Sequence, residues 1–182
     1  MKNVMVDLET LGNGYSAAII SIGAVEFDET GLGREFYMPV DAQSSVELGL
    51  TIDASTVMWW MQQDVKAKAA FKDNGEPIQA ALEVFANWYP KDACFWGNGA
   101  TFDNVIMANA YKLAKIKQPW KYCLDRCYRT LKNLYPDVTQ ERVGTHHNAL
   151  DDAKYQALHA VKIMNFKGLA VAQQPELIKE II

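Results

Sequence analysis

The sequence lacks the features that would place the protein in a membrane or outside the cell. None of its apolar runs approaches the ~18–20 residues that a membrane span requires, so we expect no membrane partner. Asp7 and Glu9 fall where a secretory signal would need its apolar stretch. We therefore expect a cytoplasmic protein.

Cysteine is scarce, and its spacing argues against a zinc site. The chain has three cysteines, Cys94, Cys123 and Cys127, which is an odd number. No two of them form a C-x-x-C pair, and no histidine lies at a zinc-ligand spacing from them. Free cysteines are usually buried as small apolar side chains. We expect these three to pack in the core, with Cys123 and Cys127 on one helix face if that stretch is helical.

Excess positive charge is also missing. The formal net charge is −4, whereas a nucleic-acid partner usually requires a surplus of Lys and Arg. However, seven of the 18 basic residues lie between Lys112 and Lys132, where Asp125 is the only acid. This segment is either a solvated helix surface or a phosphate-binding patch, and bound divalent cations would offset the acids elsewhere.

The length and composition of the chain are those of one globular domain. Its 182 residues are 49% hydrophobic and 22% charged, which is enough to bury a core without disulfides or metals. We find no repeat, low-complexity tract or linker. Residues 1–182 are therefore expected to form a single domain.

Residue periodicity predicts three strands followed by alternating helices and strands. Alternation over residues 2–8 predicts the first strand, and Ile19–Phe27 and Arg34–Val40 predict two more, joined by glycine-containing turns as an antiparallel meander. Two later strands are predicted at Ala93–Trp96 and Trp120–Leu124. Helices are predicted at 56–63, 65–71, 77–89, 103–113, 126–134 and 148–164, with a short one from Pro175. This order is typical of a mixed-sheet α/β domain.

Three short motifs combine carboxylates with a histidine. Asp7 and Glu9, at i and i+2 on the first predicted strand, project from one face, where they repel each other unless a cation lies between them. Taken alone, this pair is more often a solvent-facing strand edge than a site.

The second motif, Asn98-Gly99-Ala100-Thr101-Phe102-Asp103, follows a predicted strand. Ligands of α/β sheets gather beyond the carboxyl ends of strands, which favours Asp103 as a site residue. An equally good interpretation of Asp103 alone is a helix N-cap.

The third motif, His147-Asn148-Ala149-Leu150-Asp151-Asp152-Ala153, opens the last long helix. Acids are favoured in a first helical turn in any case, whereas a histidine in the polar stretch before it is suited to proton transfer near neutral pH.

Together and in this order, the three motifs resemble the DEDDh exonucleases, a family that includes oligoribonuclease and ribonuclease T. The resemblance implies a ribonuclease H-like α/β fold with a five-stranded mixed sheet, three strands antiparallel and the later ones parallel, flanked by helices. It implies that Asp7, Glu9, Asp103 and Asp152 hold two Mg²⁺ or Mn²⁺ ions, with His147 as general base. The family spacing selects Asp152 over Asp151 and His147 over His146, and His159 is expected to be packed or exposed rather than catalytic.

The implied reaction is 3′→5′ removal of 5′-mononucleotides from a single-stranded 3′ end, with RNA slightly favoured over DNA. The expected substrate-binding residues are Thr10, Leu11, Gly12, Asn98 and Phe102. Leu11 stands where many relatives have Thr, so it either wedges against a base or packs in the core.

The stretch from Thr51 to Gln63, which contains Trp59 and Trp60, resembles a smaller subset of the family. These are stand-alone domains that are often found in phages and prophages and are related to a mycobacterial exoribonuclease. Core packing of both tryptophans is favoured over stacking on a base. The alternatives to an exonuclease are a ribonuclease H-like endonuclease and a non-catalytic nucleic-acid-binding module, and a homodimer is possible.

Overall fold

One five-stranded mixed sheet forms the centre of the fold in the computed structural model, which describes residues 2–65, 67–71 and 75–172. The strand order is β3-β2-β1-β4-β5. β1 pairs antiparallel with β2 and β2 antiparallel with β3, whereas β1–β4 and β4–β5 are parallel pairs. The predicted α/β class, with an antiparallel meander followed by parallel strands, is confirmed. The strands are β1 Asn3–Thr10, β2 Ile19–Asp28, β3 Gly31–Pro39, β4 Cys94–Gly97 and β5 Asp125–Cys127.

Helices cover both faces of the sheet. One apolar cluster joins β1 and β2 to α3 and α4 through residues such as Leu82, Phe85 and Ile106. A second cluster on the other face packs α6 and Tyr128 against Met5 and Val25. The helices are α1 Ala42–Glu47, α2 Ala54–Gln62, α3 Ile78–Trp88, α4 Val105–Ala114, α5 Tyr128–Leu134 and α6 Ala149–Ala172.

The start of α6 lies unusually close to the sheet. Ala149, Ala153, Ala157 and Ala160 are fully buried, and their spacing puts small side chains on the face that meets β1 and β2. A Cβ added at Gly23 would lie 2.1 Å from the carbonyl carbon of Ala149. Because Gly23 is the β2 partner of Asp7, this contact brings the first turn of α6 next to the middle of β1.

The predicted fifth strand was wrong in its position. Tyr122–Leu124 is a 3₁₀ turn, and only Asp125–Cys127 pairs with β4. Trp120 is withdrawn into the core, where its ring stacks on Phe95 at 4.1 Å and its indole N–H donates to Asp125 Oδ1 at 3.0 Å. Burial of this large ring, rather than strand pairing, explains the apolar residues there.

The helix predictions needed smaller corrections. Residues 67–71 form a 3₁₀ helix within the predicted 65–71 helix, and α6 continues well past the predicted end at Met164. The short helix α1 was missed, although Asp41 caps it by accepting from the backbone N–H groups of Gln43 and Ser44. The helix predicted from Pro175 lies outside the described residues.

The cysteine prediction was right for one position. Cys94 is buried, but Cys123 is exposed and Cys127 half-buried, and they lie in a 3₁₀ turn and on β5 rather than on one helix. Among the described residues, no helix is long and apolar enough to cross a membrane.

Candidate active site

A large cavity opens at the carboxyl ends of β1 and β4. It has a volume of about 700 Å³. Because β1 and β4 are parallel neighbours, the residues that follow them meet at one edge of the sheet, where α/β proteins bind ligands. The cleft is lined by residues of all three sequence motifs together with α2 and the segment before α6: Asp7, Leu8, Glu9, Thr10, Asn13, Ser55, Thr56, Trp59, Trp60, Asn98, Phe102, Tyr128, Lys132, Arg142, His146, His147, Asp152, Tyr155 and Gln156.

The two acids of β1 lie side by side on the cleft floor. Glu9 is only 7% exposed, and its burial, with the nearby charge of Asp103, raises its pKa to about 8. The pKa of Asp7 is raised well above its usual value by burial and then by the charges of Asp103 and Glu9. Gln156 opposes this rise by donating from Nε2 to Asp7 Oδ1 at 2.7 Å. Negative charge in this cluster therefore requires compensation by a cation.

Asp103 links the two parallel strands. It lies in a single π-helical turn, Ala100–Asn104, between β4 and α4. Its Oδ1 accepts from the Leu8 backbone N–H at 3.2 Å and its Oδ2 from the Asn98 N–H at 2.8 Å. Burial raises its pKa to about 7, despite those two donors and the charge of Arg129. Its side chain does not cap α4, so the N-cap alternative is not what the structure shows.

Asp152 enters the cleft from the first turn of α6. It is 9% exposed, and its Oδ2 accepts from the backbone N–H of His147 at 3.1 Å while its Oδ1 pairs with Arg142. The neighbouring Asp151 instead accepts from the Thr145 N–H at 2.8 Å. The structure thus places Asp152 in the cleft and uses Asp151 to hold the preceding loop.

His147 faces the carboxylates from a left-handed backbone conformation, with φ of 60°. Ligand atoms of Glu9, His147 and Asp152 all lie within 4.8 Å of one another. Burial lowers the pKa of His147, as do the charges of His146 and Arg142. A neutral imidazole at this position is able to accept a proton.

His159 has a structural role, as expected. It is 4% exposed, and its Nδ1 is 2.8 Å from the Tyr128 hydroxyl, while its Nε2 contacts the Val138 carbonyl oxygen. Since a backbone carbonyl only accepts, Nε2 carries the hydrogen and Nδ1 accepts from Tyr128. His159 therefore fixes the segment that leads to His147.

Three of the five predicted substrate-binding residues line the cleft: Thr10, Asn98 and Phe102. Leu11 instead belongs to the core at 7% exposure, because the chain turns inward after β1 and its N–H bonds the Ala18 carbonyl oxygen. Gly12 is also outside the cleft lining, where an added Cβ would lie 3.0 Å from Asp53 Oδ2. The wedge interpretation of Leu11 therefore finds no support in the structure.

The two tryptophans of α2 differ in their surroundings. Trp60 is 4% exposed and its indole N–H donates to the Thr10 carbonyl oxygen at 2.9 Å, so its core role is as expected. Trp59 is 41% exposed on the cleft wall, where core packing was the favoured expectation. Consecutive residues point to different sides of a helix, but the sequence does not tell which of the two tryptophans faces the core.

The sequence motifs did not identify Arg142 and Gln156. Gln156 follows Asp152 by four residues on α6, so helical spacing could have placed it beside that acid. No pattern marks Arg142, which lies in the irregular segment before α6. Both nevertheless contact predicted site carboxylates.

The basic segment is not one patch. Its residues are divided between the end of α4, the following loop, β5 and α5. Lys132 lines the cleft, and Arg129 donates to the Asn98 carbonyl oxygen at 2.7 Å, whereas Lys121 pairs with Asp92 at 3.0 Å. Only part of this charge is thus placed to meet a ligand in the cleft.

The donor set of the cleft fits hard divalent cations. Asp7, Glu9 and Asp152 line the cleft, and Asp103 is buried beside the first two. Carboxylate and amide oxygens are the ligands that Mg²⁺ and Mn²⁺ prefer. Two further buried oxygens, Asn98 Oδ1 and Gln156 Oε1, have no hydrogen-bond partner among the described residues. Zinc, which favours nitrogen and sulfur, fits less well.

Comparison with known families gives one match over most of the chain. The model of the 3′-5′ exoribonuclease Rv2179c-like domain matches residues 2–164. Comparison with curated proteins gives no match.

Several solved structures share the architecture. The nuclease domain of 3′hExo, a DEDDh family member bound to rAMP, has a TM-score of 0.61 at 15% identity, covering 91% of this chain and 92% of that one. Exonuclease X in complex with 5′ overhanging duplex DNA has a TM-score of 0.58 at 18% identity, with 91% and 92% covered. Cell-death related nuclease 4 has a TM-score of 0.62 at 15% identity, and the match spans 91% of this chain but 64% of that nuclease. At these identities the likeness shows the fold, and it confirms the ribonuclease H-like expectation.

Proposed function

Because the chain belongs to the family of 3′-5′ exoribonuclease Rv2179c-like domains, we propose that it removes 5′-mononucleotides from the 3′ end of single-stranded RNA with two divalent ions. The observation that carries this proposal is the convergence of Asp7, Glu9, Asp152 and His147 in a single cleft, with the Asp103 carboxyl group buried beside Asp7 and Glu9. Glu9, Asp103 and Asp152 are 7%, 2% and 9% exposed, and bound cations would offset the cost of burying them.

Asp7, Glu9, Asp103 and Asp152 are the residues that would hold the ions. Four carboxylates match the charge of two dications, and Mg²⁺ or Mn²⁺ suits their oxygen donors. When bound, such a pair supplies a water of lowered pKa and stabilises the departing oxygen. Asp103 is already oriented by the N–H groups of Leu8 and Asn98, so its ligand position is fixed before any ion binds.

His147 would act as the general base. Its pKa is lowered, so the imidazole is neutral near pH 7 and its ring nitrogen can take a proton from the attacking water. The backbone N–H of His147 is anchored on Asp152, which ties the base to the ion-binding carboxylates. Release of the 3′-oxygen of the shortened chain would leave the phosphate on the departing 5′-mononucleotide.

The terminal nucleoside would lie between α2 and the end of β1. Trp59 offers an exposed aromatic face, and stacking of a base on such a ring is worth ~1–3 kcal/mol and tolerates any sequence. Thr10, Asn98 and Phe102 line the same cleft and would contact the sugar and phosphate. The choice of RNA over DNA rests on the family description. A homodimer and a cytoplasmic location stay predictions.

The test is digestion of matched single-stranded RNA and DNA oligonucleotides that carry either a 5′ or a 3′ label, with Mg²⁺, Mn²⁺ or EDTA. The proposal predicts stepwise shortening of the 5′-labelled RNA, release of the 3′ label as a mononucleotide, and no reaction in EDTA. Faster digestion of DNA would reverse the sugar preference. Internal fragments would indicate an endonuclease, and binding without cleavage would indicate a non-catalytic module.

A further inference from the structure

Arg142 brings a positive charge into the carboxylate cluster. Its guanidinium Nη2 pairs with Asp152 Oδ1, while Asp152 Oδ2 accepts the backbone N–H of His147. Both oxygens of this carboxylate therefore have a protein partner. Any cation that takes Asp152 as a ligand has to compete with Arg142.

The charge of Arg142 acts beyond its ion-pair partner. Arg142 lines the cleft together with Asp7, Glu9 and His147. Arg142 thus partly neutralises the same cluster that divalent ions would neutralise. Two dications bound to the carboxylates and the guanidinium of Arg142 beside them would repel one another.

Arg142 lies on a segment that is held on both sides. Its segment is fixed on one side by the contact of His159 with the Val138 carbonyl oxygen and on the other by the bond from Thr145 N–H to Asp151. The guanidinium carbon lies 5.1 Å from the centre of the Tyr155 ring. Tyr155 also lines the cleft, so its ring gives the guanidinium a second contact surface beside Asp152.

Part of the donor capacity of Arg142 is unused. Its Nε is buried and has no hydrogen-bond partner among the described residues. A guanidinium presents a planar set of donors that suits the oxygens of a phosphate. Arg142 lines the cleft with Tyr155 and Asp152. A phosphate held beside the carboxylates would therefore lie next to the guanidinium group.

We propose that Arg142 is a phosphate-binding residue that exchanges partners: it pairs with Asp152 in the metal-free protein and with a substrate phosphate once divalent ions occupy the carboxylates. This inference rests on the proposed function, since it takes the cleft to bind both ions and nucleotide. It makes metal loading and phosphate binding cooperative, because the ions release the side chain that the phosphate needs.

The first test is calorimetric titration of Mn²⁺ into the metal-free protein and its variants. Arg142→Ala removes the competing cation, so we expect the Mn²⁺ dissociation constant to fall by roughly threefold to tenfold, as for the loss of a partly buried ion pair. Arg142→Lys keeps the charge and should stay near wild type. Lys154→Ala is the matched control, because Lys154 lies two residues beyond Asp152 but pairs with Glu35 at 2.7 Å. Unchanged or weaker Mn²⁺ binding by Arg142→Ala would overturn the competition.

The second test compares the binding of adenosine 5′-monophosphate and adenosine, with and without Mn²⁺. With Mn²⁺, Arg142→Ala should reduce the preference for the monophosphate by about tenfold or more, the value of a charge-assisted hydrogen bond. Arg142→Lys should lose an intermediate amount. Without Mn²⁺, Arg142→Ala should bind the monophosphate as wild type does. An equal loss in both conditions, or a loss in neither, would contradict the exchange of partners.

These measurements do not depend on turnover. If the wild-type protein degrades RNA from its 3′ end but Arg142→Ala behaves like wild type in both titrations, the role of Arg142 is wrong and the proposed function stands. If the wild-type protein degrades no nucleic acid, the proposed function fails whatever the titrations show. Thermal unfolding of each variant identifies any loss of fold.

Discussion

The Trp59 indole and the His147 imidazole meet edge to face, with ring centroids 4.9 Å apart and the ring planes at 90°. Trp59 comes from α2 and His147 from the segment before α6, so this contact joins the two walls of the cleft. In the proposed function, the wall that stacks on the terminal base is therefore in contact with the residue that removes a proton.

This contact predicts that Trp59 affects both binding and rate. Trp59→Ala should raise KM by about tenfold through lost stacking, and it should also lower kcat because the imidazole loses a wall that fixes its orientation. Trp59→Phe keeps an aromatic ring and should recover most of both values. Steady-state kinetics on a single-stranded RNA would decide, and a change in KM alone would show that Trp59 does not position His147.

The two adjacent histidines should differ sharply. His147→Ala removes the general base and should reduce kcat by roughly 10²–10⁴, with the binding of Mn²⁺ largely retained. His146→Ala is the matched control, since His146 lines the same cleft but lies outside the ligand cluster. Equal effects of the two substitutions on kcat would contradict the assignment of His147.

The stability of the metal-free protein should depend on pH through Glu9. Its pKa is raised from 4.5 to about 8, so between these values the folded state holds a proton that the unfolded state has lost. Stability therefore falls as pH rises through this window. Glu9→Gln removes the part of this dependence that Glu9 contributes, whereas Asp7 and Asp103, whose pKa values are also raised, keep theirs. Thermal unfolding in EDTA should therefore show the variant gaining on wild type from pH 5 to pH 8. Parallel curves of melting temperature against pH for the two proteins would show that Glu9 is not buried as described. Added Mn²⁺ should restore the stability of the wild-type protein at pH 8.

The close approach of β2 and α6 should make Gly23 irreplaceable. Gly23→Ala places a methyl group against the backbone of Ala149, which should cost roughly 1–3 kcal/mol of unfolding free energy and displace the turn that carries Asp152. Gly14→Ala is the control, because nothing lies within 4 Å of the added Cβ. Denaturant unfolding measures both, and a Gly23→Ala protein of wild-type stability and activity would contradict this packing.

The sequence predicted the site residues better than their surroundings. Asp7, Glu9, Asp103, Asp152 and His147 each belong to a short motif that is weak alone, and they were proposed because the three motifs, in this order, resemble the DEDDh exonucleases. All five were predicted together, and the structure brings them together. Gln156 contacts Asp7 across 149 positions of sequence, and such contacts depend on how α6 packs against β1, which no local pattern encodes.

The fold was predictable in the same sense. Alternation of apolar residues predicted β1, which is long enough to show a period of two. An enrichment in β-branched residues predicted β2, and the turn glycines Gly31 and Gly33 separated it from β3. β5 has three residues, which are too few to show a period. The strand was therefore predicted at the apolar residues that begin with Trp120, a few positions too early. Leu11 and Trp59 show the same limit. Leu11 lies in the core because of the path of the chain after β1, and Trp59 lies in the cleft because of the orientation of α2, and no local pattern shows either.

The most direct test of the central claim is to quantify 5′-mononucleotide released from a single-stranded RNA by the wild-type protein and by Asp152→Asn, each with Mn²⁺ and with EDTA. The substitution keeps the size of the side chain but removes the charge of a proposed ion ligand. We predict that the wild-type protein with Mn²⁺ releases one mononucleotide at a time from the 3′ end and that the other three reactions release almost none. Full release by Asp152→Asn, or by the wild-type protein in EDTA, would contradict a metal-dependent exonuclease in this cleft.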